Sequence, residues 1–282
     1  MRGKMNWGAV TTALDNSNKP TKNDKLFIPP VKEGETIETI IRFLPAPDLD
    51  MPWATLTRHE YKDSNGEKKL VQCRKAMLGK EHNCPICDSL RMLWNDGEAD
   101  KYRLRKKKTT YYANILVVDD PTNPENNGKV FVLRFGKQIF TLIETLIKDE
   151  KSPEAVFDYD NGTDFVLSTK MKGEYANYEE SRFKRKATAL SPEVAKKADA
   201  DLHDLLPFVD TSKVPSYDEM AQDYHDRTGD MPDAWVRKNL AGGVSTGAKK
   251  IGDDEDSAPA ETAHSPAPPV DADEDFLASL DD

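Results

Sequence analysis

Short strand-like runs separated by turn signals, with a few helix-like segments among them, predict a mainly β chain: a small barrel-like body with helical additions. Three observations carry that fold class. Runs rich in Thr, Ile, Val and aromatics recur from about residue 35 to residue 172. Segments with apolar residues at helical spacing are fewer and stand between or after those runs. From Ala241 the composition turns to Gly, Ser, Ala, Pro and acids, which cannot bury enough apolar surface to fold, so a disordered acidic tail is expected over 241–282.

The elements follow in order. Residues 1–24 are polar without sustained periodicity and read as an N-terminal arm. The core is expected over 25–240. "ETIETIIRFLPAP" (35–47), "WATLTRHEY" (53–61) and "KKLVQCRK" (68–75) read as strands, with "DSNG" as the turn between the last two. "CDSLRMLWN" reads as a short helix. "TTYYANILVVDD" (109–120) and "GKVFVLRFG" (128–136) are the strongest strand candidates, joined by the loop "PTNPENN". "KQIFTLIETLIKD" (137–149) places Ile139, Phe140, Leu142, Ile143, Leu146 and Ile147 at helical spacing. "TDFVLSTKMK" (163–172) returns to strand. "SPEVAKKADADLHDLL" (191–206) opens with a helix-start signal, and "SYDEMAQDYHDRTG" reads as a further helix. No internal repeat is seen.

Charge is partitioned along the chain. The 282 residues carry a formal net charge of −10, yet residues 253–282 alone hold eleven Asp or Glu and no Lys or Arg. Removing those from the total of 50 acids leaves 39, against 40 basic residues, so the body is near neutral. An acidic whole-chain balance is therefore no argument against a nucleic-acid partner. With no signal peptide and no apolar run of the ~18 residues a membrane span needs, a soluble, cytoplasmic protein is expected. An odd count of three cysteines argues against a closed disulfide framework.

Those three cysteines all lie in "CRKAMLGKEHNCPIC" (73–87). Cys84 and Cys87 form a C-x2-C knuckle, Cys73 is a third thiolate, and His59 supplies a nitrogen to complete H-x13-C-x10-C-x2-C. Three Cys and one His within so short a span suit one closed, tetrahedral, structural Zn2+ site, in a subdomain of about 54–95. His82 is the rival fourth ligand, although it stands only two residues before Cys84. Unligated thiols are the plainer reading, and a thioredoxin-type redox pair lacks its βαβ context.

Beyond the knuckle, six of the eight residues 101–108 are cationic: Lys101, Arg103, Arg105, Lys106, Lys107 and Lys108. Tyr102, Tyr111 and Tyr112 are interleaved with them, and Phe135 stands beside Arg134 and Lys137. A second cluster holds Tyr178, Arg182 and Phe183. Cations tracking phosphates and aromatic faces stacking on unpaired bases make a single-stranded nucleic-acid groove the leading reading. Against it stands a solvated charge run whose tyrosines pack in the core. No helix-turn-helix signature supports duplex reading.

At these residues the chain resembles the single-stranded DNA-binding proteins of the T-even bacteriophages. The likeness rests on "IIRFLP" (40–45), the His59–Cys73–Cys84–Cys87 set, "KKKTTYYANILVVDDPTNPENNGKVFVLRFGKQI" (106–139), "NYEESRF" (177–183) and the acidic tail ending in Phe and Leu. The resemblance implies an OB-fold core with an inserted zinc subdomain, and cooperative, sequence-independent coating of single-stranded DNA during phage replication, recombination and repair, in the host cytoplasm. It implies self-association through a basic arm, matched here only by Arg2 and Lys4. It matches the family's basic-Ser/Thr motif at Lys106 to Thr110, followed by Tyr111 and Tyr112 as a stacking pair. The tail, with Asp273, Glu274, Asp275, Phe276, Leu277 and Leu280, would recruit DNA polymerase, recombinase and its mediator, and helicase loader or primase. Its charge would also compete for the DNA groove; a merely solubilising tail is the alternative.

No enzyme is expected. Asp119 and Asp120 are the one tempting carboxylate pair for a nuclease, but the "PTNPENN" that follows makes turn chemistry the better account. A zinc-ribbon RNA-binding regulator is the remaining alternative.

Overall fold

In a computed structural model of the chain, the described residues are 24–46, 49–149, 156–231 and 235. Arg2 and Lys4 of the expected arm lie outside them, as does the tail from Ala241 on, with Asp273, Glu274, Asp275, Phe276, Leu277 and Leu280. The strands are β1 (Leu26–Phe27), β2 (Thr36–Phe43), β3 (Ala54–Lys62), β4 (Lys68–Gln72), β5 (Lys108–Asp119), β6 (Val130–Phe135), β7 (Thr163–Lys172), β8 (Tyr175–Asn177) and β9 (Arg182–Ala187). The helices are α1 (Arg74–Met77), α2 (Pro85–Asn95), α3 (Ala99–Arg105), α4 (Lys137–Ile147), α5 (Pro192–Ala200) and α6 (Tyr217–Thr228). The mainly β expectation holds, with a mixed sheet and several helices. None of the described helices is long and apolar enough to cross a membrane.

The chain divides into two compact units. One comprises the described residues up to Ala54 with those of Thr110–Phe208; its strand order is β1-β6-β5-β2-β7-β8. β1 and β6 pair in parallel; β5 pairs antiparallel with β6 and with β2, and β2 with β7. Alternation fixes the register. Ile41 and Phe43 of β2, Ala113, Ile115 and Val117 of β5, and Phe165 and Leu167 of β7 enter one core with Ile139 and Ile143 of α4. Leu44, Leu116 and Val130 form a smaller cluster with Ala198 of α5. Both faces of β5 are thus covered, which is why residues 112–117 are buried without a break.

Two polar devices hold this unit. Arg42, wholly buried, donates from Nε (3.0 Å) and Nη2 (2.6 Å) to Oδ1 of Asp164, and from Nη2 to the Thr188 carbonyl (2.8 Å). β8 and β9 both pair with β7, and the Ser181 hydroxyl bridges the break between them: it accepts from Ser168 N (3.0 Å) and donates to Ser168 O (3.2 Å). β9 was not expected as a strand. Its sequence, RFKRKA, is too cationic to signal one, and five of its six residues are exposed.

Asp120 bears out the turn reading. It is buried, and its carboxylate accepts from Thr122 N (3.0 Å), Thr122 Oγ1 (2.8 Å), Asn123 N (3.1 Å) and Asn126 Nδ2 (2.8 Å). Its acceptor capacity is committed to shaping the loop. Tertiary contacts shorten the helix expected over 191–206 to α5. The buried Asn114 side chain clasps the backbone of His203, accepting from its N–H (3.0 Å) and donating to its carbonyl (2.9 Å).

The other unit comprises Thr55–Thr109 and the described residues from Val209 on. The "DSNG" turn closes the β3–β4 hairpin: Asp63 Oδ1 accepts from the N–H groups of Asn65 and Glu67 (both 2.9 Å). Gly66 supplies the left-handed backbone, φ +82°. Its core joins Tyr61, Val71, Ile86, Leu90 and Leu93 to Met220, Ala221 and Tyr224 of α6. The unit is therefore larger than the span of about 54–95 read from sequence, because α3 and α6 belong to it.

Candidate functional site

Three local features set out the Cys and His side chains. His59 lies in β3 directly across from Val71, and the chain leaves β4 two residues later at Cys73. Cys73 N donates to the Thr57 carbonyl (2.8 Å), which fixes the first thiol beside β3. The strand expected through residue 75 ends there, because Cys73 becomes the N-cap of α1 and its carbonyl accepts from Met77 N (2.9 Å). Cys84 is likewise the N-cap of α2, with Pro85 at the first helical position, and Cys87 follows one turn into that helix. Amide groups at a helix start favour a thiolate.

The ligand atoms of His59, Cys73, Cys84 and Cys87 all lie within 4.8 Å of one another. Cys73 Sγ is 3.6 Å from Cys87 Sγ, and His59 Nε2 is 3.5 Å from Cys84 Sγ and 3.4 Å from Cys87 Sγ. A tetrahedral ion with bonds of about 2.3 Å to sulfur and 2.0–2.1 Å to nitrogen needs S···S edges of about 3.8 Å and N···S edges of about 3.5 Å. The spacing therefore fits a group able to hold one metal ion. His59, Cys73 and Cys84 are buried, and Cys87 is partly exposed. His82 is not one of the four; its Nε2 sits 3.7 Å from Glu81.

Around the four donors the polar wiring is specific. His59 Nδ1 donates to the Arg105 carbonyl (3.3 Å), which selects the tautomer whose Nε2 lone pair faces the thiols. Hydrogen bonds from Cys84 and Cys87 hold the Cys73 thiol far below the usual range, whereas bonds to Cys73 and Cys84 push Cys87 up. Three thiolates at such range repel one another unless a cation joins them. Met220 of α6 backs the cluster, its Sδ 3.9 Å from Cys84 Sγ. The sequence reads 216–229 as a helix, which the structure starts with a Ser216–Glu219 capping box, but gives no sign of its destination.

The cationic and aromatic candidates separate by exposure. In this same unit Arg103 and Lys107 are exposed, and Tyr102 and Lys106 are partly so. Residues 99–105 form α3, so the dense charge run begins as a helix and becomes β5 at Lys108. Lys108 pairs with Glu60 (3.3 Å), and Arg105 forms an ion pair with Asp230.

In the first unit, strand alternation decides the aromatics. Tyr111 pairs across from Phe135 and Tyr112 from Arg134, so the adjacent tyrosines point to opposite faces. Tyr111 stacks on Phe140 at 4.0 Å with the rings nearly parallel, and on Phe135 at 5.6 Å. Tyr112 stacks on Phe208 at 5.1 Å. The two do not form one continuous platform, contrary to the pairing expected from sequence. Phe135 is 1% exposed and belongs to the core, so its ring is not open to a base; apolar alternation in β6 put it there. Tyr178 is also buried, and burial pushes its hydroxyl up to about 12. Phe183 is half-buried against Phe165 at 4.8 Å, and Arg182 is exposed and paired with Glu38 at 2.8 Å. Arg134 and Lys137 are partly exposed.

Comparison with known proteins adds to this geometry. Residues 35–226 match the family described as gp32 DNA binding protein like. The single-stranded DNA-binding protein of Enterobacteria phage T2 is 33% identical to the chain over 233 residues, spanning 78% of this chain and 74% of that protein. The single-stranded DNA-binding protein of Enterobacteria phage T4 is 33% identical over 230 residues, with the same coverage of each.

Proposed function

The chain belongs to the gp32-like family of DNA-binding proteins, and from that membership we propose that it binds and cooperatively coats single-stranded DNA without regard to sequence, as a binding protein and not an enzyme. The observation that carries this reading is the extent of the match. Residues 35–226 include the four-donor cluster and the run from Lys106 to Tyr112.

Phosphates would be tracked by exposed or partly exposed cations, among them Arg103, Lys106, Lys107, Arg134, Lys137 and Arg182. Bases would stack on the partly exposed aromatics Tyr102, Tyr111 and Phe183. Tyr112, Phe135 and Tyr178 would support those positions from within. The body would be an OB-fold core carrying a zinc subdomain. His59, Cys73, Cys84 and Cys87 would hold one Zn2+: mixed thiolate and imidazole donors suit that ion, and four protein ligands leave no position for a reacting water. The metal supplies cross-linking of β3, α1 and α2, not chemistry on a substrate.

Coating would serve replication, recombination and repair of phage DNA in the bacterial host cytoplasm, since a ligand of the unpaired state opposes reannealing by mass action. Arg2 and Lys4 would contribute to self-association along DNA. The acidic tail would act as a tethered competitor for the cationic groove. Displaced by DNA, its Phe276, Leu277 and Leu280 would be free to dock polymerase, recombinase and mediator, and helicase loader or primase.

The test is a fluorescence titration of zinc-loaded protein with oligo(dT) at two salt concentrations, with duplex as control. Saturable quenching, steep salt dependence and weak duplex binding are expected. Equal binding of duplex, or none at low salt, would remove the reading. Deleting residues 253–282 should tighten oligo(dT) binding at low salt, and unchanged affinity would remove the competitor role of the tail.

A further inference from the structure

Arg105 stands between the four-donor cluster and the cationic run, and both its backbone and its side chain are committed. Its carbonyl accepts from Nδ1 of His59, whose Nε2 faces Cys84 and Cys87. Its guanidinium turns the other way. Nη1 pairs with Oδ2 of Asp230 and donates to the Tyr224 hydroxyl (3.1 Å), with Cζ 5.7 Å from that ring's centroid. Tyr224 is itself wholly buried, packed edge-on to Tyr61 at 5.0 Å and accepting from Ser89 Oγ at 3.4 Å. The Arg105 side chain is 15% exposed, against 69% for Arg103 two residues earlier. An arginine so held has little freedom to reach a phosphate.

We propose that Arg105 is a positioning residue and not a DNA contact: it anchors the point from which Lys106, Lys107 and Lys108 leave α3, and it ties that point to the ion-holding cluster through His59. The inference rests on the proposed function for its DNA arm. Its physical content is a coupling. An ion that orders His59 orders the Arg105 carbonyl, and thereby the chain entering β5. By linkage the reverse also holds, so single-stranded DNA bound at 106–108 should raise the affinity for the ion.

The sign of one substitution separates the two roles. If Arg105 were a phosphate contact restrained by Asp230, Asp230→Asn would release it and strengthen DNA binding. If Arg105 is an anchor, the same change weakens binding.

The experiment compares zinc-loaded full-length protein with its Asp230→Asn, Arg105→Gln and Lys107→Gln variants. Oligo(dT) affinity is measured across a salt series, and zinc extraction by a chromogenic chelator with and without oligo(dT). For Asp230→Asn and Arg105→Gln the expected results are an affinity loss of about 5-fold or more and an unchanged slope of log K against log salt. Zinc affinity should fall by up to about 10-fold, the low end for an outer partner lost outright, because the Arg105 carbonyl stays but is no longer held in place. Lys107→Gln should lower the slope by about 0.7, the value for one phosphate on a single strand, and leave zinc extraction alone. Tighter binding by Asp230→Asn, a slope loss of about 0.7 in Arg105→Gln, or zinc extraction unmoved in both would each overturn the proposal. Should either variant fail to fold, Tyr224→Phe, which removes only the hydroxyl, gives the same reading. If the parent protein binds no oligo(dT), the proposed function fails, and the zinc arm alone still decides whether Arg105 is tied to the cluster.

Discussion

Replacing Asp164 by Ala should cost the first unit about 3–5 kcal/mol, the range for removing one partner of a buried ion pair. The geometry places this case within that range. Arg42 is wholly buried and makes three hydrogen bonds, two of them to Asp164 Oδ1 (3.0 and 2.6 Å) and one to the Thr188 carbonyl (2.8 Å). Its Nη1 has no partner among the described residues, so no reserve acceptor stands ready. The substitution removes the countercharge and two of those bonds at once, and leaves a guanidinium in the interior. Lys184, whose Nζ is 3.3 Å from the other carboxylate oxygen, is 38% exposed and can turn to water at little cost. Asp164→Asn keeps an acceptor and should cost less, about 1.5–3 kcal/mol. The pair Arg42→Met with Asp164→Leu removes both charges and should recover most of the loss. Equilibrium urea unfolding, with the m-value checked for constancy, reads all three. A cost below about 1 kcal/mol for Asp164→Ala, or a double variant as unstable as the single, would refute the claim that an uncompensated buried charge is the cause.

Chelation of the ion should expose the second unit to proteolysis within residues 74–105 and lower its melting temperature, both restored by one equivalent of zinc; structural zinc is worth roughly 10 kcal/mol or more in small domains. Gly162→Ala should cost about 1–3 kcal/mol by urea unfolding, because a Cβ there would meet the Asp158 carbonyl oxygen at 2.0 Å and Arg42 Nη1 at 2.8 Å. Acid should destabilise the second unit partly through Asp223. Desolvation raises its carboxyl, but hydrogen bonds from Tyr61 (2.6 Å) and Arg227 (3.0 Å) outweigh that and hold it below the ordinary range. With the folded value below the unfolded one, the contribution is complete above about pH 4 and is lost as pH falls through the depressed value. Unfolding free energy measured against pH should therefore drop less steeply in this window for Asp223→Asn than for the parent.

Sequence made the sheet legible where alternation is strong. β2, β5, β6 and β7 are runs rich in Thr, Ile, Val, Leu and aromatics whose core residues recur at alternate positions, and the "DSNG" and "PTNPENN" turns carry side chains that cap their own backbone. The four-donor cluster was legible because ligand chemistry demands those residue types at close range, and chain distance is a fair proxy inside a knuckle and a hairpin. What sequence could not give was long-range closure. Met220 and Tyr224 back the cysteines from more than 130 residues away along the chain, and Asp230 meets Arg105 across a similar interval. The aromatics were over-read for a local reason. A list of tyrosines and phenylalanines beside cations does not say which face of a strand each one takes, and β-alternation sends Tyr111 and Tyr112 apart and Phe135 inward.

The same distinction applies to charge. Six cations in residues 101–108 suggest a uniform polyanion-binding strip, but the fold treats them unequally. Lys101 and Arg103 form exposed helix pairs with Glu98 and Asp100, each at 3.7 Å. Such pairs are worth about 0–1 kcal/mol, so a phosphate can replace the carboxylate at almost no cost. Lys108 pairs with the more sheltered Glu60, and Arg105 with Asp230 against a buried tyrosine ring. Exchange is harder for these last two, because Glu60 and Asp230 are 15% and 24% exposed, against 50% and 95% for Glu98 and Asp100, and so lose more when left alone. A cation's value to a DNA groove is therefore set by what its present partner loses on release. On that ground the function proposed above draws on the exposed Arg103 and Lys107 for phosphate contacts, and the anchor role proposed for Arg105 ties it to the four-donor cluster.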